Sequence, residues 1–360
     1  MNILAFESSC DETSCAVVSR EDERFVIKSN IIASQVDTHK LYGGVVPEIA
    51  SRAHIEAISS ITYEAMSVAG MSMDDIDAVA VTANPGLIGA LLVGVNFAKA
   101  LAVSYGKPLI AVDHIKGHIA TCYLDKDGNV PTPPFIALAV SGGHTGIYLV
   151  KSYNEVNLVG STRDDAIGES FDKIGRIIGI PYPAGKGFDA LSKEGFSEIV
   201  GECDDYLEKY RKSAEYKSGE FSLPSPAVKD DTLDFSFSGL KTAAINLLHR
   251  YEQLGLELPK SRFAARYTFE AVEAVAKKMD IATDRYGVKQ IALCGGVAAN
   301  SHLRHRLGTL AKKKGVKLYT PPVSLCGDNA AMIGAQGYYE YIDGHLSDSS
   351  LNASASDGIE

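Results

Sequence analysis

The six cysteines, Cys10, Cys15, Cys122, Cys203, Cys294 and Cys326, form no CxxC pair and no even ladder of spacings. That excludes a zinc ribbon and a disulfide framework, and it fits a reducing compartment, the cytoplasm. A secretory leader is missing too: MNILAFESSCDETS carries acids where a leader is basic, and its apolar part is short. No apolar run reaches membrane-spanning length, because NPGLIGALLVGVNFAKALAV is interrupted by Asn96 and Lys99. It predicts a buried helix and no membrane role. Positive charge is in short supply, with 35 Lys and Arg against 45 Asp and Glu and a formal net charge of -10. Each phosphate contact needs a nearby cation, so a chain that wraps nucleic acid over its whole surface is excluded. RNA would have to meet a partner or a local patch such as Ala311 to Lys317, Arg304 with Arg306, or Arg262 with Arg266. Those patterns equally suit solvated helix faces.

What is present is ordered alternation. ILAFES, CAVVSR and RFVIKSNII read as a three-strand meander, and FIALAVS, GIYLVK and VNLVGSTR repeat that pattern at similar lengths. Each meander continues into alternating helices and strands: SRAHIEAISSITYEAM, DAVAVTA and PLIAVDH in the first half, SRFAARYTFEAVEAVAKKMDIATDRYG, KQIALCGG and KLYTP in the second. Alternation of this kind predicts an α/β fold with mostly parallel sheets and a ligand cleft between two related halves. The expected divisions are residues 1–131 with 328–343, then 132–327. The small polar stretch 344–360 predicts a disordered tail.

HIKGH places His114 and His118 four apart, on one face of a helix and about 6 Å apart along its axis, close enough to share a metal ion. A pair of polar surface histidines at a helix start is the plainer alternative. A zinc peptidase needs glutamate after the first histidine, and Ile115 stands there. Asp328, in a Gly-Asp-Asn turn opening a helix, is a sensible third ligand. Ser8 to Ser14, Ser141 to Thr145 and Cys294 to Asn300 follow strands and combine glycines or hydroxyls that suit phosphate binding. Asp11 and Glu12 in the first loop either hold a metal or water near phosphates or face solvent as turn carboxylates. Asp165, Glu169 and Asp172 form an acidic helix face from which Asp172 could accept hydrogen bonds from a substrate. His302 and His305 read as surface residues.

In order along the chain, ESSCDETSCAVV, GGVVPEIASRAHIE, NPGLIGALLVG, DHIKGHIA, VSGGHT, GESFDKIGRIIG, YPAGKGFD, DFSFSGLKTA, CGGVAAN and GDNAAMI resemble the TsaD-type tRNA adenosine threonylcarbamoyltransferases, formerly labelled glycoprotein endopeptidases. The resemblance spans about Met1 to Tyr341. It implies an actin-like and hexokinase-like ATPase superfold with two duplicated α/β domains around a nucleotide cleft. It implies metal ligands His114, His118 and Asp328, and substrate contacts Ala139, Val140, Ser141, Gly142, Gly143, Asp172, Gly185, Asp189 and Asn300. The ion would be Fe(2+) or Zn(2+), and the cleft ligand threonylcarbamoyl-AMP, ATP or AMP.

The implied reaction moves threonylcarbamoyl from threonylcarbamoyl-AMP to N6 of the adenosine beside the anticodon, in tRNAs reading codons that begin with A. Asp11 and Glu12 are candidates for the base that removes the amine proton. Implied partners are tRNA, a TsaB-type paralogue and a small P-loop ATPase of TsaE type. The sequence departs from the family at Asn84, Lys116, Ala184 and Lys186. A non-catalytic actin-like ATPase or sugar kinase, and less so a metallopeptidase, are the competing readings.

Overall fold

The computed structural model describes residues 1–228 and 230–356. Its first half is a five-stranded sheet in the order β3-β2-β1-β4-β5, built from β1 (Asn2–Glu7), β2 (Glu12–Glu21), β3 (Arg24–Ser34), β4 (Ala78–Asn84) and β5 (Leu109–Asp113). Between and after these strands run α1 (Val36–Lys40), α2 (Pro47–Ala69), α3 (Ile88–Tyr105) and α4 (His114–Ala120). The second half has β6 (Phe135–Val140), β7 (Thr145–Val150), β8 (Val156–Ser161), β9 (Gln290–Cys294) and β10 (Lys317–Tyr319), ordered β10-β9-β6-β7-β8. Its helices are α5 (Ile167–Ile177), α6 (Gly185–Val200), α7 (Tyr206–Lys212), α8 (Ala214–Ser218), α9 (Ser238–Gln253), α10 (Lys260–Tyr286) and α11 (Ser301–Lys314). The last helix, α12 (Ala330–Ile342), returns to the first sheet.

The two sheets share one wiring. In each, an antiparallel meander supplies three strands, and a fourth pairs parallel with the meander's first strand: β4 on β1, β9 on β6. The fifth lies parallel beside the fourth. The repeat legible in the sequence is therefore a repeat of topology.

The first sheet is covered by α2 and α3 on one face and by α12 and α4 on the other. Glycines allow close approach of α12: a Cβ on Gly334 would lie 2.7 Å from Val18 Cγ2, and one on Gly337 2.8 Å from Ala80 Cβ. The helix expected to be buried, α3, is covered on one face only. Ala90, Leu91, Gly94, Val95, Ala98 and Ala102 face the core, while Ile88, Val103 and Tyr105 are exposed. The unbroken apolar run had masked that two-sidedness.

The tail does not follow its disordered expectation over residues 345–356. Ser347 N–H donates to Leu109 O at 2.8 Å and Ser354 N–H to Ala83 O at 2.9 Å. Leu351 and Ala353 pack on the core between the sheet and α3, and Lys99 Nζ reaches Leu351 O at 2.9 Å. Two apolar side chains and a strand-like bridge suffice to dock a stretch that composition alone marks as polar. Residues 357–360 lie outside the described residues.

Candidate metal centre and nucleotide cleft

The helix that carries His114 and His118 grows directly out of a strand. Asp113 ends β5 and caps α4, its Oδ1 accepting the N–H groups of Ile115 at 2.8 Å and Lys116 at 3.0 Å. These are donors that a helix start otherwise leaves open. Asn84 Nδ2 donates to the other oxygen of Asp113 at 2.7 Å, so this departure from the family supports the cap. Gly117 lets α4 lie against α12, since a Cβ there would sit 2.7 Å from Ile333 Cδ1.

His114 and His118 project from one face, ring centroids 4.5 Å apart. Asp328 comes from the turn before α12, a turn fixed by Ala330 N–H donating to Ser14 Oγ at 2.9 Å and Met332 N–H to Asn329 Oδ1 at 3.2 Å. Asp328 Oδ1 lies 3.2 Å from His118 Nε2 and 3.6 Å from His114 Nε2. Donors held about 2.1 Å from a tetrahedral ion stand about 3.4 Å from one another, so the observed spacing fits one shared cation. Among the described residues this is the one group of three His, Cys, Asp or Glu so arranged, its donor atoms all within 4.8 Å.

A second observation points the same way. Both ring nitrogens of His118 are buried without a hydrogen-bond partner, because the approach of Asp328 lacks hydrogen-bond geometry. Buried polar atoms are rarely left in that condition, and a cation would satisfy Nε2. The residues present therefore fit a metal ion.

Sequence reasoning missed Glu7. It ends β1, is 1% exposed, and its Oε2 faces His114 Nδ1 at 3.0 Å. Thr82 Oγ1 donates to the same oxygen at 2.6 Å and Ser9 N–H to Oε1 at 2.5 Å. A carboxylate on Nδ1 fixes the tautomer and leaves Nε2 as the ligand atom. Burial alone would raise the Glu7 carboxyl, but the facing imidazole holds it below its ordinary value. Burial likewise opposes charge on His114, yet Glu7 and Asp328 lift it to about 9. For His118 burial wins, aided by the charge of His114, and its pKa falls. Asp328 is half-buried, and burial would raise its carboxyl, but the two histidines hold it well below the carboxylate range. The one signal for Glu7 was a glutamate closing a buried strand, which spacing could not connect to residue 114.

Asp11 and Glu12 lie near this centre where the β1–β2 turn enters β2, a junction braced by His54 of α2, whose Nδ1 and Nε2 lie 2.7 Å from Thr13 Oγ1 and 3.0 Å from Cys10 O. Burial, then the charges of Asp328 and Asp11, push Glu12 up to about 9. Glu12 therefore senses the charge of the centre, and Asp11 is buried rather than facing open solvent.

The second half presents its loops to the same place. His144 of the SGGHT loop has its ring 6.4 Å from that of His114. Ser141 closes this loop through its N–H to His144 O at 2.8 Å, while its Oγ accepts His144 N–H at 3.1 Å. Gly142 and Gly143 have open space where a side chain would be. Ala139 and Val140 are fully buried in β6 between β7 and β9, so they offer strand geometry rather than side-chain contact. Gly295, at φ +90, brings the CGGVAAN loop alongside, and a Cβ there would lie 2.3 Å from Val140 O.

Asn300 Oδ1 caps α11 through Leu303 N–H at 2.9 Å, and Asp189 Oδ1 accepts Ser301 N–H at 2.9 Å, so these two meet through Ser301. Asp172 Oδ1 accepts Ala184 N–H at 2.7 Å, next to Gly185, which is open on its side-chain face. Burial raises the Asp172 pKa, opposed by that N–H and reinforced by Asp11 from the other half.

Other residues singled out lie elsewhere. Asp165 pairs with Lys241 and Lys173, and Glu169 with Lys173, so the acidic face is neutralised. His302 is not a surface residue: it is 2% exposed, Nδ1 lying 2.7 Å from Tyr206 Oη and Nε2 3.2 Å from Asp189 O. The arginines around it had masked an aromatic pocket supplied by α6 and α7. The basic candidates are mostly spent within the chain. Arg306 pairs with Glu273, Arg262 with Glu198 and Glu215, Arg266 with Glu270, and Lys314 with Asp280 and Asp284. Arg304 hydrogen-bonds Ala298 O, Thr320 Oγ1 and Pro321 O.

Two five-stranded sheets of identical wiring, with amide-rich loops and a His-His-Asp group that could hold a metal ion, define an actin-like ATPase superfold. Its fold resembles HypF from T. kodakarensis, at TM-score 0.59 and 13% identity over 97% of this chain and 49% of that one. It also resembles the activator of the 2-hydroxyisocaproyl-CoA dehydratase from Clostridium difficile with bound ADPNP, at TM-score 0.50 and 11% identity over 96% and 97% of the two chains. The family model for TsaD, tRNA N6-adenosine threonylcarbamoyltransferase, matches residues 26–335, and the chain belongs to that family of transferases. Proteins named tRNA N6-adenosine threonylcarbamoyltransferase are 48% identical over 354 residues in Clostridium botulinum (strain 657 / Type Ba4) and 46% identical over 352 residues in Clostridium beijerinckii. Each of these alignments covers 98% of this chain and 96% of the relative.

Proposed function

We propose that this chain moves the threonylcarbamoyl group of threonylcarbamoyl-AMP onto N6 of the adenosine beside the anticodon, in tRNAs reading codons that begin with A. The observation that carries the reading is the convergence of His114, His118 and Asp328, backed by Glu7, with the open glycines of the SGGHT loop. The N6–carbamoyl bond forms, the mixed-anhydride C–O bond breaks, AMP leaves, and the amine releases a proton.

The adenine amine is a weak nucleophile, so the chain's task is to hold donor and acceptor close and stabilise the departing phosphate. Backbone N–H groups around Gly142, Gly143 and Gly296 supply fixed donors for the adenylate phosphate. Asp172, Gly185, Asp189 and Asn300 form the wall against which the nucleoside is oriented. Asp11, beside Glu12, is the group we assign to accept the amine proton, since a carboxyl raised as far as Glu12 already holds one at neutral pH. A divalent ion on His114, His118 and Asp328, Fe(2+) or Zn(2+), supplies polarisation of a phosphate or carbamoyl oxygen.

A peptidase reading lacks its base, since Ile115 is buried at the required position and Lys116 is paired with Glu340. The acidic chain acts on tRNA in the cytoplasm with help from a paralogue of like fold and a small P-loop ATPase. Mass analysis of tRNA nucleosides after incubation with threonylcarbamoyl-AMP tests this. Modified adenosine should appear poorly with the chain alone, strongly with both partners, and not at all with His118→Ala. Full turnover by the isolated chain would remove the partners from the reading, and no product under any condition would remove the reaction.

A further inference from the structure

We infer that Lys40, Arg176, Lys186 and Lys260 form a docking surface for an RNA backbone at the mouth of the cleft, with Tyr42 beside them to stack an unpaired base. This rests on the transferase reading and says where on the chain the tRNA is held.

The sequence offers basic runs elsewhere, but their arginines and Lys314 are neutralised by acids or tied to backbone carbonyls. A neutralised cation releases no counterion when a phosphate arrives, so it adds little to RNA affinity. The four cations named here are exposed and have no ion-pair partner among the described residues. Nearby acids are already occupied: Asp165 and Glu169 by Lys173 and Lys241, Asp172 by the Ala184 N–H, and Glu48 by Arg52.

Position joins them into one rim. Arg176 stands one helical turn beyond Asp172, on the same face of α5. Its guanidinium reaches the first half, where a Cβ on Gly43 would lie 2.8 Å from Nη1. Gly43 has φ +72 and closes the turn that carries Lys40, its N–H donating to Lys40 O at 3.3 Å. At the far end of α5, Gly175 meets Ala184, and Lys186 follows in the first turn of α6. Lys260, opening α10, brings Nζ within 3.6 Å of where Gly179 would carry a Cβ.

The same turn exposes Leu41 at 83% and Tyr42 at 57%. Unpaired bases of single-stranded loops stack on exposed aromatics, whereas a duplex would not engage them. The rim therefore fits a loop whose backbone is followed by cations while one nucleoside enters between the halves toward Asp11 and Asp172.

The test uses the full metal-loaded chain and a synthetic anticodon stem-loop with adenosine directly after the anticodon, with affinity followed against salt. Replacing Arg176, Lys186 and Lys260 by alanine together should lower the slope of log affinity against log salt by about 2, at roughly 0.7 per lost contact on a single strand. The same relation predicts a roughly 100-fold loss at about 0.1 M salt. Tyr42→Ala should weaken binding about tenfold with the slope unchanged. The control, Lys312→Ala with Lys313→Ala, should behave as wild type. Metal content and melting temperature show that each variant is folded. An unchanged slope in the triple variant, equal losses in the control, or no saturable binding by wild type would overturn the surface. Absence of transfer by wild type with its partners would instead overturn the underlying reading, whereas a triple variant with wild-type KM for tRNA would overturn this inference alone.

Discussion

Glu7 Oε2 lies 3.0 Å from His114 Nδ1, linking the end of the first strand to a helix 107 residues later. That bond selects the imidazole tautomer that points Nε2 at Asp328. Glu7→Gln keeps the shape and removes the charge, and metal affinity should fall about 10- to 100-fold. Competition against a chromophoric chelator measures this, and unchanged affinity would reduce Glu7 to a packing role.

Neither ring nitrogen of His118 is satisfied by a hydrogen bond, Asp328 Oδ1 facing Nε2 only as a charge at 3.2 Å, so its burial would be compensated by a held cation. Chelation of the wild-type chain should therefore lower its melting temperature, the stabilisation being about 2.7 kcal/mol with ion at a hundredfold excess over Kd. His118→Ala should purify with metal content near zero and show no response to chelator. Stoichiometric metal in that variant would mean that the ion sits elsewhere.

The ion-free chain should lose stability as pH rises. Burial, then Asp328 and Asp11, raise Glu12 from 4.5 to about 9. Between those values the folded chain keeps a proton that the unfolded chain has released, so the unfolding free energy declines with increasing pH. Glu12→Gln removes this contribution. Thermal scans of chelated protein from about pH 5 to about pH 9 should show a shallower decline for the variant; parallel curves would contradict the assignment.

Lys116 stands where the family usually has glutamate, and its Nζ meets Glu340 Oε1 at 3.3 Å. Glu340 also accepts from Gln336 at 3.1 Å, which in turn reaches Asn154 of the second half at 2.8 Å. Lys116→Glu would set two carboxylates together in a largely buried place, at a cost of about 2 kcal/mol. Urea unfolding should show that loss, and Glu340→Gln in the same chain should restore most of it. Equal stability of the single variant and wild type would show that the pair is solvated.

The fold was largely legible because duplication wrote itself twice, as two meanders followed by alternating strands and helices. His114 and His118 were legible because helical spacing is local. Asp328 could be guessed from its turn, but its meeting with them depends on α12 crossing back to the first sheet, which no local pattern encodes. Glu7 was invisible for the same reason: its partner is remote, and a buried glutamate at a strand end has no periodic signature. His302 misled because flanking arginines suggest solvent, while the rings that bury it come from α6 and α7. The tail misled because Leu351 and Ala353 are too few to move a composition average, yet they suffice to dock a short segment against α3.

The chain passes between its halves twice, after α4 and before α12. Cys122 just past α4 and Pro321 and Pro322 ahead of α12 line one small cavity of about 90 Å³, so the two passages run side by side. His118 sits just before one passage and Asp328 closes the other. A cation shared by them would tie the two passages together at the point where they run closest.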